Sequence, residues 1–97
     1  MAVTFDEEAL RQIAAATAWW MINRPDAPDA ISQELDEALA RISLEPAIGE
    51  PFPRSRLRGI RRRFLRRIHY HIYYRVVGEG IQIIAFCHAR RGSGPPI

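Results

Sequence analysis

The chain has no lysine; all 14 of its basic residues are arginine. That absence removes lysine general bases, Schiff-base nucleophiles and the phosphate-gripping lysine of a P-loop. Cysteine is nearly absent too. A single one, Cys87, excludes an internal disulfide framework and a multi-cysteine zinc site. Long apolar runs are missing. The longest, Ile13 to Ile22, has ten residues and includes Thr17, where a membrane-spanning helix needs about 20. The opening MAVTFDEEAL is acidic where a secretory signal is basic. The expected compartment is therefore the cytoplasm, with no membrane partner. Neither Gly78-Glu79-Gly80 nor Gly92-Ser93-Gly94 fits the glycine fingerprint of a Rossmann or P-loop site.

What is present fits one domain. The 97 residues are 47% hydrophobic and 26% charged, a composition that fills one modest core and does not point to disorder. The net charge of +3 hides an asymmetry. Residues 1–50 carry ten acids and three arginines, a net −7, while residues 51–97 carry eleven arginines and one acid, Glu79, a net +10. One half of the domain thus presents a strongly positive surface, which implies an anionic partner.

Periodicity divides the chain in the same place. Val3 and Phe5 alternate in a short strand at the N-terminus, expected at a sheet edge with its partner open. Asp6, Glu7 and Glu8 suit a helix N-terminus. Leu10, Ile13, Ala14, Thr17, Trp20 and Met21 then recur at helical spacing, predicting a helix near 6–22 that ends before Pro25. A second helix is expected near 28–44, with Pro28 in its first turn and Ile31, Leu35, Ala38, Leu39 and Ile42 as its apolar stripe. The short loop between them makes an antiparallel hairpin. Residues 45–53 read as an irregular connector with three prolines. Beyond it the period changes from 3.6 to 2, and three consecutive antiparallel strands are expected near 57–67, 70–77 and 81–87. The predicted class is α+β: a helix hairpin on one face of a small antiparallel sheet, in the order β-α-α-β-β-β. Residues 1–97 form one domain, with 92–97 a loose tail.

The basic segment is the main chemical feature. Eight arginines fall between Arg54 and Arg67. In a strand, Arg61 and Arg63 point to one face and Arg62 to the other. Arg61 and Arg63 are assigned to the open face, where guanidinium groups grip phosphates or carboxylates in a bidentate manner. Arg62 and Arg66 are left to pair with the acids of the helical half, because unpaired charge is rarely buried. His69 and His71 are two apart and share a strand face, and His88 follows the last strand. Zinc binding by the three is disfavoured by the surrounding arginines, which repel a cation. An acid–base role suits histidine better, His88 foremost, beside Arg90 and Arg91. Tyr70 and Tyr74 share parity with Ile72 and read as core. Tyr73 lies on the other face with His71 and Arg75, where it can stack on a base. Of the adjacent Trp19 and Trp20, one is core and the other meets the connector or a partner.

With these pieces in order, the chain resembles RelE/ParE-type toxins of bacterial type II toxin–antitoxin systems, from about Val3 to Pro95. The segments that carry the resemblance are VTFDEEAL, AAATAWWMINRPDAP, ISQELDEALARISLEPAIGEP, RGIRRRFLRRIHYHIYYRV and IIAFCHARR. The YYRV strand and the closing HARR look like the ParE side. The resemblance implies a small α+β domain and one of two activities: ParE-like members poison DNA gyrase by binding, and RelE-like members cut messenger RNA on the ribosome without metal. The chain departs from the ribonuclease pattern, with no lysine and no tyrosine after Tyr74. The expectation is therefore a ParE-like gyrase inhibitor that needs no cofactor or metal and is neutralised by a cognate antitoxin. The alternative is a ribosome-dependent mRNA endonuclease with His88, Arg61, Arg63 and Arg91 as its catalytic set. Arg61, Arg75, His88 and Arg91 match positions of the family pattern, and with Arg63, Tyr73 and Arg90 they are the expected contacts for target or antitoxin.

Overall fold

A computed structural model describes residues 2–90 and 94–97. The elements are β1 (Ala2–Phe5), α1 (Glu7–Asn23), α2 (Ala30–Leu44), a 3-10 turn (Pro46–Ile48), β2 (Glu50–Pro51), β3 (Arg61–Leu65), β4 (Tyr70–Val77) and β5 (Gly80–His88). They form a five-stranded sheet in the order β1-β5-β4-β3-β2, with the helix hairpin on one face. The fold class is the α+β arrangement expected from periodicity. Two details differ. β1 pairs with β5 in parallel, so the sheet is mixed. The connector contributes a two-residue edge strand, β2, whose Pro51 is tolerated because an edge strand need not donate on its outer side.

The helix boundaries follow local chemistry. α1 stops at Asn23, and Arg24 leaves helical geometry ahead of Pro25. α2 begins at Ala30 rather than Pro28, because backbone N–H groups of Ala27 and Ala30 first close turns onto Arg24 and Ala27. α2 buries Ile31, Leu35, Ala38 and Ile42, the stripe its period predicts. α1 lies rotated from expectation. Its buried residues are Ala9 and Ala16, with Ile13 and Trp20 packed beside them, while Leu10 and Met21 face outward. The small alanines let the helix lie close on the sheet, and Leu10 and Met21 of the expected stripe are displaced to its flank while Ile13 and Trp20 stay on the core. Under the helices sit Ile72, Tyr74, Ile81 and Ile83, all fully buried. Burial of each such isoleucine contributes about 1.5–3 kcal/mol.

β5 carries a bulge. Tyr73 opposes Ala85 and Tyr74 opposes Ile83, so Ile84 is the extra residue. In such a bulge both residues face the same side as the one they oppose. Ile84, Ala85 and Tyr73 accordingly share a second cluster on the other face, with Phe52, Ile60 and Cys87. The bulge also restores Phe86 to the helix side with Ile81 and Ile83. The second face is covered at its centre and open at Phe64 and Val77. The 52–60 loop lies on it, and so do residues 94–97, where the Arg56 backbone N–H donates to the Ile97 carbonyl and Ile97 packs on the cluster. The expected loose tail is thus packed at 94–97. Residues 92 and 93 lie outside the described residues.

Candidate functional site

The register of β3 reverses the expected faces of the arginines. Arg61 opposes Tyr74 and Arg63 opposes Ile72, and both of those partners face the helices. Arg61 and Arg63 are therefore on the helix side, while Arg62, opposite Tyr73, is on the other. Sequence parity alone could not choose between the two faces, because β3 supplies only Leu65 as a buried reference. Arg61 spends its guanidinium on the connector, where Nη1 donates to the Gly49 carbonyl at 2.7 Å and the Ala47 carbonyl at 3.4 Å. Arg63 borders a cavity of about 240 Å³ whose α2 wall carries Glu34, Glu37 and Arg41. Arg67 reaches Glu34 at 3.8 Å, which gives that nearly buried carboxylate a counter-charge.

On the other face, Arg62 Nε donates to Glu50 Oε1 at 2.7 Å and the guanidinium lies 5.3 Å from the centre of the Phe52 ring. A hydrogen bond with Tyr73, followed by the one with Glu50, raises the Arg62 pKa against the opposing effect of burial. Arg62 thus pairs with an acid of the first half, as expected, though from the connector and not from a helix. Tyr73 is 1% exposed and meets Phe52 edge-on at 5.0 Å, so its ring is packed inside and not presented for stacking. Arg75 Nε donates to Gln82 Oε1 at 2.9 Å, and Gln82 Nε2 donates to Asp6 Oδ1 at 2.7 Å. That relay ties β4 through β5 to the start of α1.

The histidines lie towards the β3–β4 turn and the end of β5, with the His71 ring 6.0 Å from that of Tyr73. His69 is not in a strand. It sits in the β3–β4 turn with a φ of 60°, a left-handed conformation that histidine adopts more readily than most residues. The alternation expected of His69 and His71 therefore fails, yet both rings still flank Phe64, at 6.0 and 5.4 Å. Burial, then Arg62, lowers the His71 pKa, with Glu50 opposing. His88 opposes Tyr70 and meets its ring edge-on at 5.1 Å. Burial lowers its pKa, and Arg90 and His69 lower it further. The Arg90 backbone N–H donates to His88 Nδ1 at 3.1 Å, which places the proton of the neutral ring on Nε2. Trp19, half exposed, and Trp20, packed against the core, split as expected.

The expected catalytic residues are not gathered in one place. Arg61 and His88 register on β4 at Tyr74 and Tyr70. Four residues along a strand are about 13 Å. Arg91 lies outside the described residues. What sequence reasoning missed is a cavity of about 480 Å³ at the His88 end, bordered by Trp19, Arg24, His69, Tyr70, His88 and Arg90. Its walls come from α1, the β3–β4 turn and the end of β5. The adjacent Trp19 and Trp20 and the HARR motif were its only signals.

Solved structures share this architecture at low identity. A chain of the chromosomal ParDE toxin–antitoxin system from P. aeruginosa superposes with a TM-score of 0.74, at 21% identity over 93% of this chain and 97% of that one. The YoeB dimer from Staphylococcus aureus gives 0.63 at 22% identity, over 91% of this chain and 94% of that chain. The isolated E. coli RelE toxin gives 0.62 at 20% identity, over 94% and 86%. These likenesses establish a RelE/ParE-type toxin fold. The family model described as the ParE toxin of the type II toxin–antitoxin system, parDE, matches residues 3–92, so the chain belongs to that family. No curated protein matches the chain. Among the described residues, no helix is long and apolar enough to cross a membrane.

Proposed function

We propose that this chain is the toxin of a type II toxin–antitoxin module, acts in the cytoplasm, and blocks DNA gyrase by binding, with a cognate antitoxin as its neutralising partner. The observation that carries the choice between binding and cleavage is the dispersal of the acid–base and cationic groups. Metal-free RNA cleavage needs a base at the 2′-hydroxyl, an acid at the leaving oxygen and cations on the phosphorane, all around one phosphate. Here Arg61 is engaged with backbone carbonyls and registers at Tyr74, while His88 registers at Tyr70, about 13 Å along the strand. The His88 Nδ1 lone pair, one of the two sites a base would use, already accepts a hydrogen bond. Inhibition by binding requires only a shaped, charged surface.

An antitoxin has a surface suited to it. Leu10, Met21, Ile22 and Leu44 stand exposed on the helix hairpin, an apolar set that a soluble chain covers with a partner. One of the similar structures is the intact E. coli RelBE toxin–antitoxin complex, which supports a protein partner for this chain as well.

The test expresses the toxin alone and reads two outputs, plasmid supercoiling by gyrase and the integrity of ribosome-bound messages. Inhibited supercoiling with intact messages is expected. Unimpaired supercoiling with messages cut, and cutting lost in His88→Ala, would establish the RelE-type alternative instead.

A further inference from the structure

The cavity at the His88 end joins aromatic walls to cationic side chains. Trp19, a residue 49% exposed, forms one wall. Tyr70 forms another, held in place by stacking on Phe86 at 4.7 Å and 10°. Around these rings stand Arg24, Arg90 and two imidazoles, and the lining includes no carboxylate. Arg24 lies over the Trp19 ring, 5.8 Å from its centre, so guanidinium and indole stand together in the lining. His88, its Nδ1 occupied, offers an Nε2–H donor and no competing acceptor. About 480 Å³ falls in the range of small-molecule sites.

We propose that this cavity binds a phosphorylated nucleoside, the base against Trp19 and Tyr70 and the phosphate between Arg24 and Arg90. Aromatic faces accept any base by stacking, and guanidinium forks match phosphate oxygens. The ligand is a free mononucleotide or the phosphorylated end of a single strand; both present the same chemistry. The inference is independent of the gyrase reading, because neither the arginines of β3 nor Leu10, Met21, Ile22 and Leu44 line the cavity.

The test titrates the intact purified chain, isotope-labelled, with AMP, adenosine, inorganic phosphate and a 5′-phosphorylated trinucleotide, following the Trp19 indole and the backbone amides of His69, His88 and Arg90. Saturable shifts with AMP are expected, with adenosine and phosphate each weaker by about tenfold or more. Arg24→Gln and Arg90→Gln, both at exposed positions, should each weaken AMP binding about tenfold with an unchanged melting temperature. A trinucleotide that binds as well as AMP identifies a strand end as the ligand, and one that is excluded identifies the free nucleotide; either upholds the site. Phosphate binding as tightly as AMP, no saturable shift at millimolar AMP, or binding indifferent to both substitutions would overturn it. So would preferential binding of an acidic peptide added in competition.

Discussion

Tyr74 shows how one side chain fixes the connector. Its hydroxyl accepts from the Gly49 N–H at 2.8 Å and donates to the Pro46 carbonyl at 2.7 Å. Burial raises its pKa, with the Gly49 hydrogen bond and two arginines opposing. A Cβ at Gly49 would lie 2.6 Å from that hydroxyl, so the close approach requires glycine there. Tyr74→Phe leaves the Gly49 N–H buried without its acceptor, and the expected loss is about 1–3 kcal/mol by denaturant unfolding. Gly49→Ala should cost at least as much, since either the tyrosine or the connector must move. Equal stability of either variant with wild type would contradict the role assigned to this contact. The histidines set a second residue-scale expectation. His71 and His88 have folded pKa values below the ordinary imidazole value of about 6.5. The unfolded chain then binds more protons between the two values. Their contribution is complete above about pH 6.5 and is lost as pH falls through the folded value. His71→Gln should flatten part of the decline in melting temperature on acidification from neutral pH, and an unchanged slope would rule His71 out.

At the scale of elements, the period of the chain announces both helices, three main strands and their order, because each element repeats its apolar residues at its own spacing. β4 was legible to the residue: its alternation of Tyr70, Ile72 and Tyr74 needs no outside information. The site was not legible in the same way. Whether Arg61 or Arg62 faces the helices depends on register with β4, and whether His88 shares a side with Ile83 depends on the bulge at Ile84. Neither is a local property of the sequence. α1 was misread because hydrophobicity favours Leu10 and Met21, whereas contact with the sheet selects the small Ala9 and Ala16. That rotation makes a prediction. Ala16→Leu forces added volume into a tight contact and should cost about 1–3 kcal/mol. Leu10→Ser with Met21→Ser, on the exposed flank, should leave unfolding within about 0.5 kcal/mol of wild type. The same pair should weaken antitoxin binding measured by calorimetry. Retained affinity in the double variant would move the antitoxin off this face.

Over the whole molecule the charge asymmetry of the sequence becomes a division of labour among the arginines. Arg61, Arg62, Arg67 and Arg75 are engaged within the fold, on carbonyls, Glu50, Glu34 and Gln82. Arg54, Arg56, Arg58 and Arg66 are exposed in the loop and turn that flank β3. Exposed charge of one sign acts on the approach of a partner more than on the lifetime of the complex, since it works at a distance and is screened by salt. The apolar residues of the helix hairpin act only at contact and should set the dissociation rate. Association with an acidic antitoxin segment should therefore slow by about tenfold or more between low and high ionic strength, while dissociation changes little. Arg56→Gln with Arg58→Gln should lower the association rate at low salt and converge on wild type at high salt. Stopped-flow measurement of both rates decides it. Association indifferent to salt would mean that these arginines serve a different partner, and then the same experiment with gyrase is the one to make.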